Sequence, residues 1–138
     1  MKDVRYVVGL AFKTALVLAV LIIAAIYIWS DPIASIFNSE KNPELAAYAR
    51  EGIRLYFIGF LFAGINIVGT SALSAVEAVR WAFTASIMRG FVAILIFAFA
   101  LSAVFGMTGV WLAFPAAELV TVLLSLTGIS KSIWAKCR

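Results

Sequence analysis

Four apolar runs, each long enough to cross a bilayer, divide the chain. They extend from about Tyr6 to Trp29, Leu55 to Val76, Ala82 to Phe105 and Val110 to Ile129. A hydrocarbon core about 30 Å thick takes about 20 helical residues, so each run predicts one transmembrane helix. The pattern therefore predicts an all-α integral membrane protein with four antiparallel transmembrane helices. With their connecting loops they use nearly all of residues 1–138, which leaves a single membrane domain.

Polar residues mark where the runs stop. Pro32 biases Asp31 out of the helical region, so the first span is expected to end there. Tyr27 and Trp29 would then be its interfacial anchors, with Ile33 to Phe37 lying along the membrane surface. Asn38 to Pro43 reads NSEKNP, and Asn42-Pro43-Glu44 combines a cap, a first-turn proline and an early acid, so a new helix should start there. Its first turns carry Glu44, Arg50, Glu51 and Arg54 and should be wetted. Gly106 to Gly109 (GMTG) is a turn that only joins antiparallel neighbours. A secretory signal peptide is a poor reading of the first run, which is too long and lacks a small-residue cleavage pattern.

Within the second and fourth spans the polar residues are not scattered. Gly52, Gly59, Ala63, Asn66, Thr70, Ser74 and Glu77 recur at helical spacing, as do Phe114, Glu118, Thr121, Ser125 and Gly128. Small residues let helices approach closely, and hydroxyls and amides bond across such contacts. These faces should meet protein or water. Tight packing accounts for them simply; a functional face would place Asn66 in a cavity as a cation or substrate contact. Glu118 sits roughly 12 Å inside the outer end of its span. A carboxylate at that depth is costly and is usually paired, buried in a bundle or on an ion pathway. Pairing with Arg89 or a backbone group is its structural reading. Arg89, about two turns inside the inner end of the third span, is within reach of the headgroups by snorkelling.

Composition agrees with the pattern and narrows the chemistry. The chain is 64% hydrophobic and 13% charged, against about 45–50% and 25% for ordinary soluble domains. Histidine is absent, and the single cysteine, Cys137, reads as an exposed tail thiol. Disulfides, thiolate metal sites and histidine acid–base catalysis therefore lack their parts. The net charge of +4 does not form a nucleic-acid stripe, because the basic residues flank the apolar runs. It reports orientation instead. With the N-terminus inside, eight of the eleven Lys and Arg fall inside (Lys2, Arg5, Lys13, Arg80, Arg89, Lys131, Lys136, Arg138), leaving Lys41, Arg50 and Arg54 outside. Both termini are expected in the cytoplasm.

Three stretches together resemble one family. GINIVGTSALSAVEAVRWA, then GMTGVWLAFPAAELV, with DPIASIFNSEKNPELAAYA before them, look like the last part of a multidrug and toxic compound extrusion (MATE) transporter, over roughly Arg5 to Trp134. The resemblance implies that the four helices correspond to the ninth to twelfth of a twelve-helix protein built from two six-helix lobes. It implies a transporter and not an enzyme, exporting organic, often cationic compounds in exchange for Na+ or H+, with no cofactor beyond the coupling ion. The expected setting is the cell inner (plasma) membrane. The expected partners are lipid, the small-molecule substrate, and either the upstream helices of the same transporter or a second copy of this chain. The candidate cation- or substrate-binding residues are Asn66, where the resemblance places a ligand, together with Thr70 and Glu118 from the polar faces. Some members carry an acidic cation ligand where Asn66 stands here and a tyrosine where Phe62 stands. An amide oxygen can ligate Na+ but cannot carry a proton, so direct proton coupling at Asn66 is not expected. Three alternatives differ in kind. A lipid-linked oligosaccharide flippase of the same superfamily would want more interior basic residues than Arg89. A self-contained four-helix drug exporter would want a glutamate in the first span, where there is none. A membrane anchor or assembly subunit would use the polar faces for packing alone.

Overall fold

The computed structural model describes residues 2–38 and 42–135. Glu40, Lys41, Lys136, Cys137 and Arg138 lie outside the described residues, so the reading of Cys137 and part of the charge count rest on sequence. Four long helices follow one another: α1 (Lys2–Phe37), α2 (Pro43–Ala75), α3 (Val79–Phe105) and α4 (Met107–Trp134). All four are long and apolar enough to cross a membrane, and no strand occurs among the described residues.

Local chemistry accounts for the helix ends. The Asn42 side chain accepts from the amides of Glu44 and Leu45, which caps α2, and Pro43 fills a first-turn position that needs no donor. Asn38 closes the connection by bonding the Asn42 backbone in both directions, donating to its carbonyl at 2.7 Å and accepting from its amide at 3.0 Å. At the other end of α2 the Ala78 amide donates to the Leu73 carbonyl and Glu77 to Ser74. That pairing requires a left-handed residue between helix and turn, and Glu77 supplies it at φ 58°. Gly106, at φ 59°, makes the corresponding reversal between α3 and α4.

α1 does not stop at Asp31-Pro32. It continues through Pro32 to Phe37, so Ile33 to Phe37 extend the helix instead of lying as a separate surface segment. Proline removes one backbone hydrogen bond, and here contacts to α2 hold the turn on both sides of it. Asp31 pairs with Arg50, Ser30 accepts from Arg54 Nε and Nη2 at 3.1 and 2.9 Å, and Ala34 is buried.

Consecutive helices run antiparallel, so α2 and α4 run in the same direction. Gly52 lies against Trp111, Gly59 against Phe114 and Pro115, and Gly69 against Ser125. α1 packs on α2 through Gly64 and Ala15, and α3 packs on α4 where Gly109 meets the Leu101 carbonyl. At the end of the bundle near the N-terminus Val8, Leu73, Ala82, Ile129 and Ile133 gather into one apolar cluster drawn from all four helices. α4 is the central element: half of its spanning window is buried against protein, whereas 6% of that of α3 is.

Candidate functional site

The site forms on the contact between α2 and α4. Glycines above and below bring the two backbones together, and between them Asn66 and Glu118 face each other with side chains almost wholly buried. The Asn66 amide nitrogen donates to Glu118 Oε2 at 2.7 Å and to the Glu118 carbonyl at 2.8 Å. Its oxygen accepts from Ser125 Oγ at 2.9 Å. Both donors and one acceptor position of the amide are thus engaged across the contact. Glu118 Oε1 faces Arg89 of α3, whose Nε stands 3.7 Å away.

Thr70 takes a different part. Its hydroxyl donates to the Asn66 carbonyl at 2.8 Å, so it braces the turn of α2 that carries Asn66 and makes no bond to Glu118. Thr121 likewise bonds its own helix, at the Ala117 carbonyl. The buried face of α2 follows Gly52, Gly59, Ala63, Asn66, Gly69 and Leu73, and leaves Thr70 half-buried and Ser74 exposed. The polar face therefore divides below Asn66, one branch packing on α4 and the other pointing out of the bundle.

Two further participants join Asn66 and Glu118: Ser125, for which the sequence named no partner, and Arg89, which it offered as one pairing for Glu118. Ser125 shared a helical face with Glu118, and only the structure shows its bond to Asn66. Arg89 lies in a stretch of α3, Met88–Val92, that has the wider π-helical form. It is directed at Glu118. An aromatic group lies on the N-terminal side of the site along α2 and α4, with Tyr56 stacked on Phe114 at 4.4 Å and Phe57 on Phe60 at 4.8 Å. An open groove of about 540 Å³ runs between α1 and α2, lined by Val4, Val7, Ala11, Ile67, Val68 and Ala72 among others. At about 100° per residue, those α2 positions lie on the side away from Asn66, and the groove offers apolar walls with no link to Glu118.

Chemically, the cluster is a buried carboxylate with one oxygen fixed by an amide and the other facing a cation. Such a group can exchange one cation for another; an apolar packing core cannot. A membrane-embedded acid, its polar braces on two parallel helices and the four-span architecture are what a membrane ion site requires. The chain matches the MatE family over residues 1–100, a range that contains Asn66, Thr70 and Arg89 and ends before Glu118. No match was found among curated proteins or among solved structures. With the family matched over most of its length and four spanning helices in place, the chain belongs to the MatE family of membrane transporters.

Proposed function

We propose that this chain forms part of the C-terminal lobe of a multidrug-type antiporter that exports organic, often cationic compounds in exchange for Na+ or H+, with Glu118 as the cation-exchanging group. The observation that carries the reading is the Asn66–Glu118 contact, which holds a carboxylate deep in the span with its second oxygen turned toward the Arg89 cation. Asn66 orients the acid, and its amide oxygen can serve as a Na+ ligand once Ser125 turns its hydroxyl away. Thr70 supports Asn66 from the adjacent turn. A proton, if that is the coupling ion, is carried by Glu118, because the amide cannot take one.

Alternating access requires one helix bundle to move against another. In this reading the four helices work with further helices of a two-lobed transporter in the cell inner membrane, with both termini cytoplasmic. The lipid-linked oligosaccharide flippase reading draws less support, because the positive charge of Arg89 is directed at Glu118 instead of a phosphate-binding cavity. The test is efflux of a cationic dye from pump-deficient cells that express the chain joined to the remaining helices, with expression checked by blot. Glu118→Gln keeps size and hydrogen bonding while removing charge, and should abolish ion-driven efflux. Wild-type efflux with an unchanged ion dependence would reduce Glu118 to packing. Robust ion-dependent efflux by the 138-residue chain alone would overturn the two-lobed reading.

A further inference from the structure

The π-helical stretch of α3 falls on the residue that meets Glu118. Between Met88 and Val92 the helix widens, closing with the Ala93 amide on the Met88 carbonyl five residues back. An added residue in one turn shifts the phase of the helix beyond it by about 100°, and single π turns are frequent at functional sites. Here the widened turn holds Arg89, with Nε 3.7 Å from Glu118 Oε1. That is an ion pair too long for a hydrogen bond. The contact of Asn66 with the other oxygen, at 2.7 Å, is a full hydrogen bond. The acid side chain is 5% exposed and the arginine 32%, so the arginine is the partner that can leave.

An exchanger must pass through forms in which its acid holds no transported ion, and a bare buried carboxylate is costly. Taking Glu118 as the cation site, as above, we propose that Arg89 is a tethered counter-ion: it neutralises Glu118 when the transported cation is absent and must withdraw from Oε1 for that cation to bind. The site then holds one acid and one cation in both forms, and Asn66 keeps the carboxylate oriented through Oε2 while Oε1 changes partner. The released side chain is long enough to extend toward the inner headgroups. Because the cation binds only the form from which Arg89 has withdrawn, the arginine lowers apparent cation affinity by the fraction of time it is withdrawn.

The experiment is equilibrium binding of radioactive Na+ to the purified full chain in lipid nanodiscs, with choline holding ionic strength constant. Arg89→Gln should bind Na+ about tenfold more tightly than wild type, and Glu118→Gln should not bind it. Arg89→Ala gives a second readout, because free guanidinium ion should then compete with Na+ in the variant and leave wild type unaffected. That competition reports occupancy of the vacated position and carries the test if Arg89→Gln fails to fold. Na+ binding that is lost in Glu118→Gln but unchanged or weakened in Arg89→Gln, or guanidinium without effect on Arg89→Ala, overturns the tethered counter-ion and leaves the cation site standing. Absence of Na+ binding in wild type and in both Arg89 variants removes the Na+ site itself and the counter-ion with it.

Discussion

Asn66 and Glu118 are joined twice: one amide nitrogen bonds both the carboxylate and the main-chain carbonyl of the same residue, at 2.7 and 2.8 Å. α2 is thereby fixed to the side chain and the backbone of α4 at a single point. Neither bond is available to water, since Asn66 is fully buried, so losing them costs more than it would at a surface.

Asn66→Asp should therefore be among the most damaging single changes in the chain. It replaces two donors with acceptors and sets a second carboxylate against Oε2 and the Glu118 carbonyl. Removing one partner of a buried charged contact costs about 3–5 kcal/mol, read as a lowered midpoint in thermal unfolding of the purified protein. The double variant Asn66→Asp with Glu118→Gln puts a donor back across the contact and should recover much of the loss. Equal stability of Asn66→Asp and wild type would mean that the two side chains do not meet as described.

Ser125 and Thr121 share a helical face but should respond differently. Ser125 Oγ supplies the one bond to the Asn66 oxygen, so Ser125→Ala leaves a buried acceptor unpaired at about 1–3 kcal/mol. Thr121 bonds only the Ala117 carbonyl of its own helix, and that carbonyl keeps its place in the helical ladder without it. Thr121→Val, which retains the shape, should change stability by less than about 0.5 kcal/mol. A larger loss at Thr121 than at Ser125 would reverse the assignment.

These contrasts show what hydropathy can and cannot resolve. The Asn42 cap and the Gly106 reversal follow from residues within one turn of the feature and stand where the sequence places them, and the structure has the expected four helices long and apolar enough to cross a membrane. The course of α1 beyond Pro32 depends on Arg50 and Arg54, about twenty residues away in sequence, which no local preference at Asp31 could report. The polar face of α2 was read as one stripe because Thr70 and Ser74 match helical spacing as well as Gly69 and Leu73 do. Only the partner helix selects between the two branches. Pairing of Arg89 with Glu118 was one of two readings open to the sequence, and the π turn that carries Arg89 leaves no mark on the hydrophobic pattern that surrounds it.

Orientation in the membrane can be tested independently of transport. By the sequence count eight of the eleven basic residues are expected inside, and the Asp31–Arg50 pair lies at the opposite end of the bundle from Val8 and Ile133. Alkaline phosphatase inserted within residues 38–42 should be active, and the same enzyme fused after Cys137 should be inactive in intact cells. An active C-terminal fusion would invert the topology and remove the basis for placing the termini in the cytoplasm.

The closeness of α2 and α4 can be tested at Gly59, seven residues and about 10 Å along the helix from Asn66. A Cβ there would stand 2.5 Å from Phe114 Cδ1 and 3.2 Å from the Pro115 Cα. The backbone atom cannot yield, and the Phe114 ring is held by its stack on Tyr56, at 4.4 Å between centroids. Gly59→Ala should thus push the helices apart and cost about 1–3 kcal/mol, the usual range for overpacking. Gly9 is the control: a Cβ there meets nothing within 4 Å, so Gly9→Ala should gain up to about 1 kcal/mol from helix propensity. Adding Phe114→Leu to Gly59→Ala clears the ring and should restore part of the stability, although Pro115 remains in place. The same displacement should lengthen the Asn66–Glu118 contact and weaken cation binding, whereas Gly9→Ala leaves both unchanged. Identical thermal midpoints for Gly59→Ala and Gly9→Ala would show that α2 and α4 do not touch at this glycine.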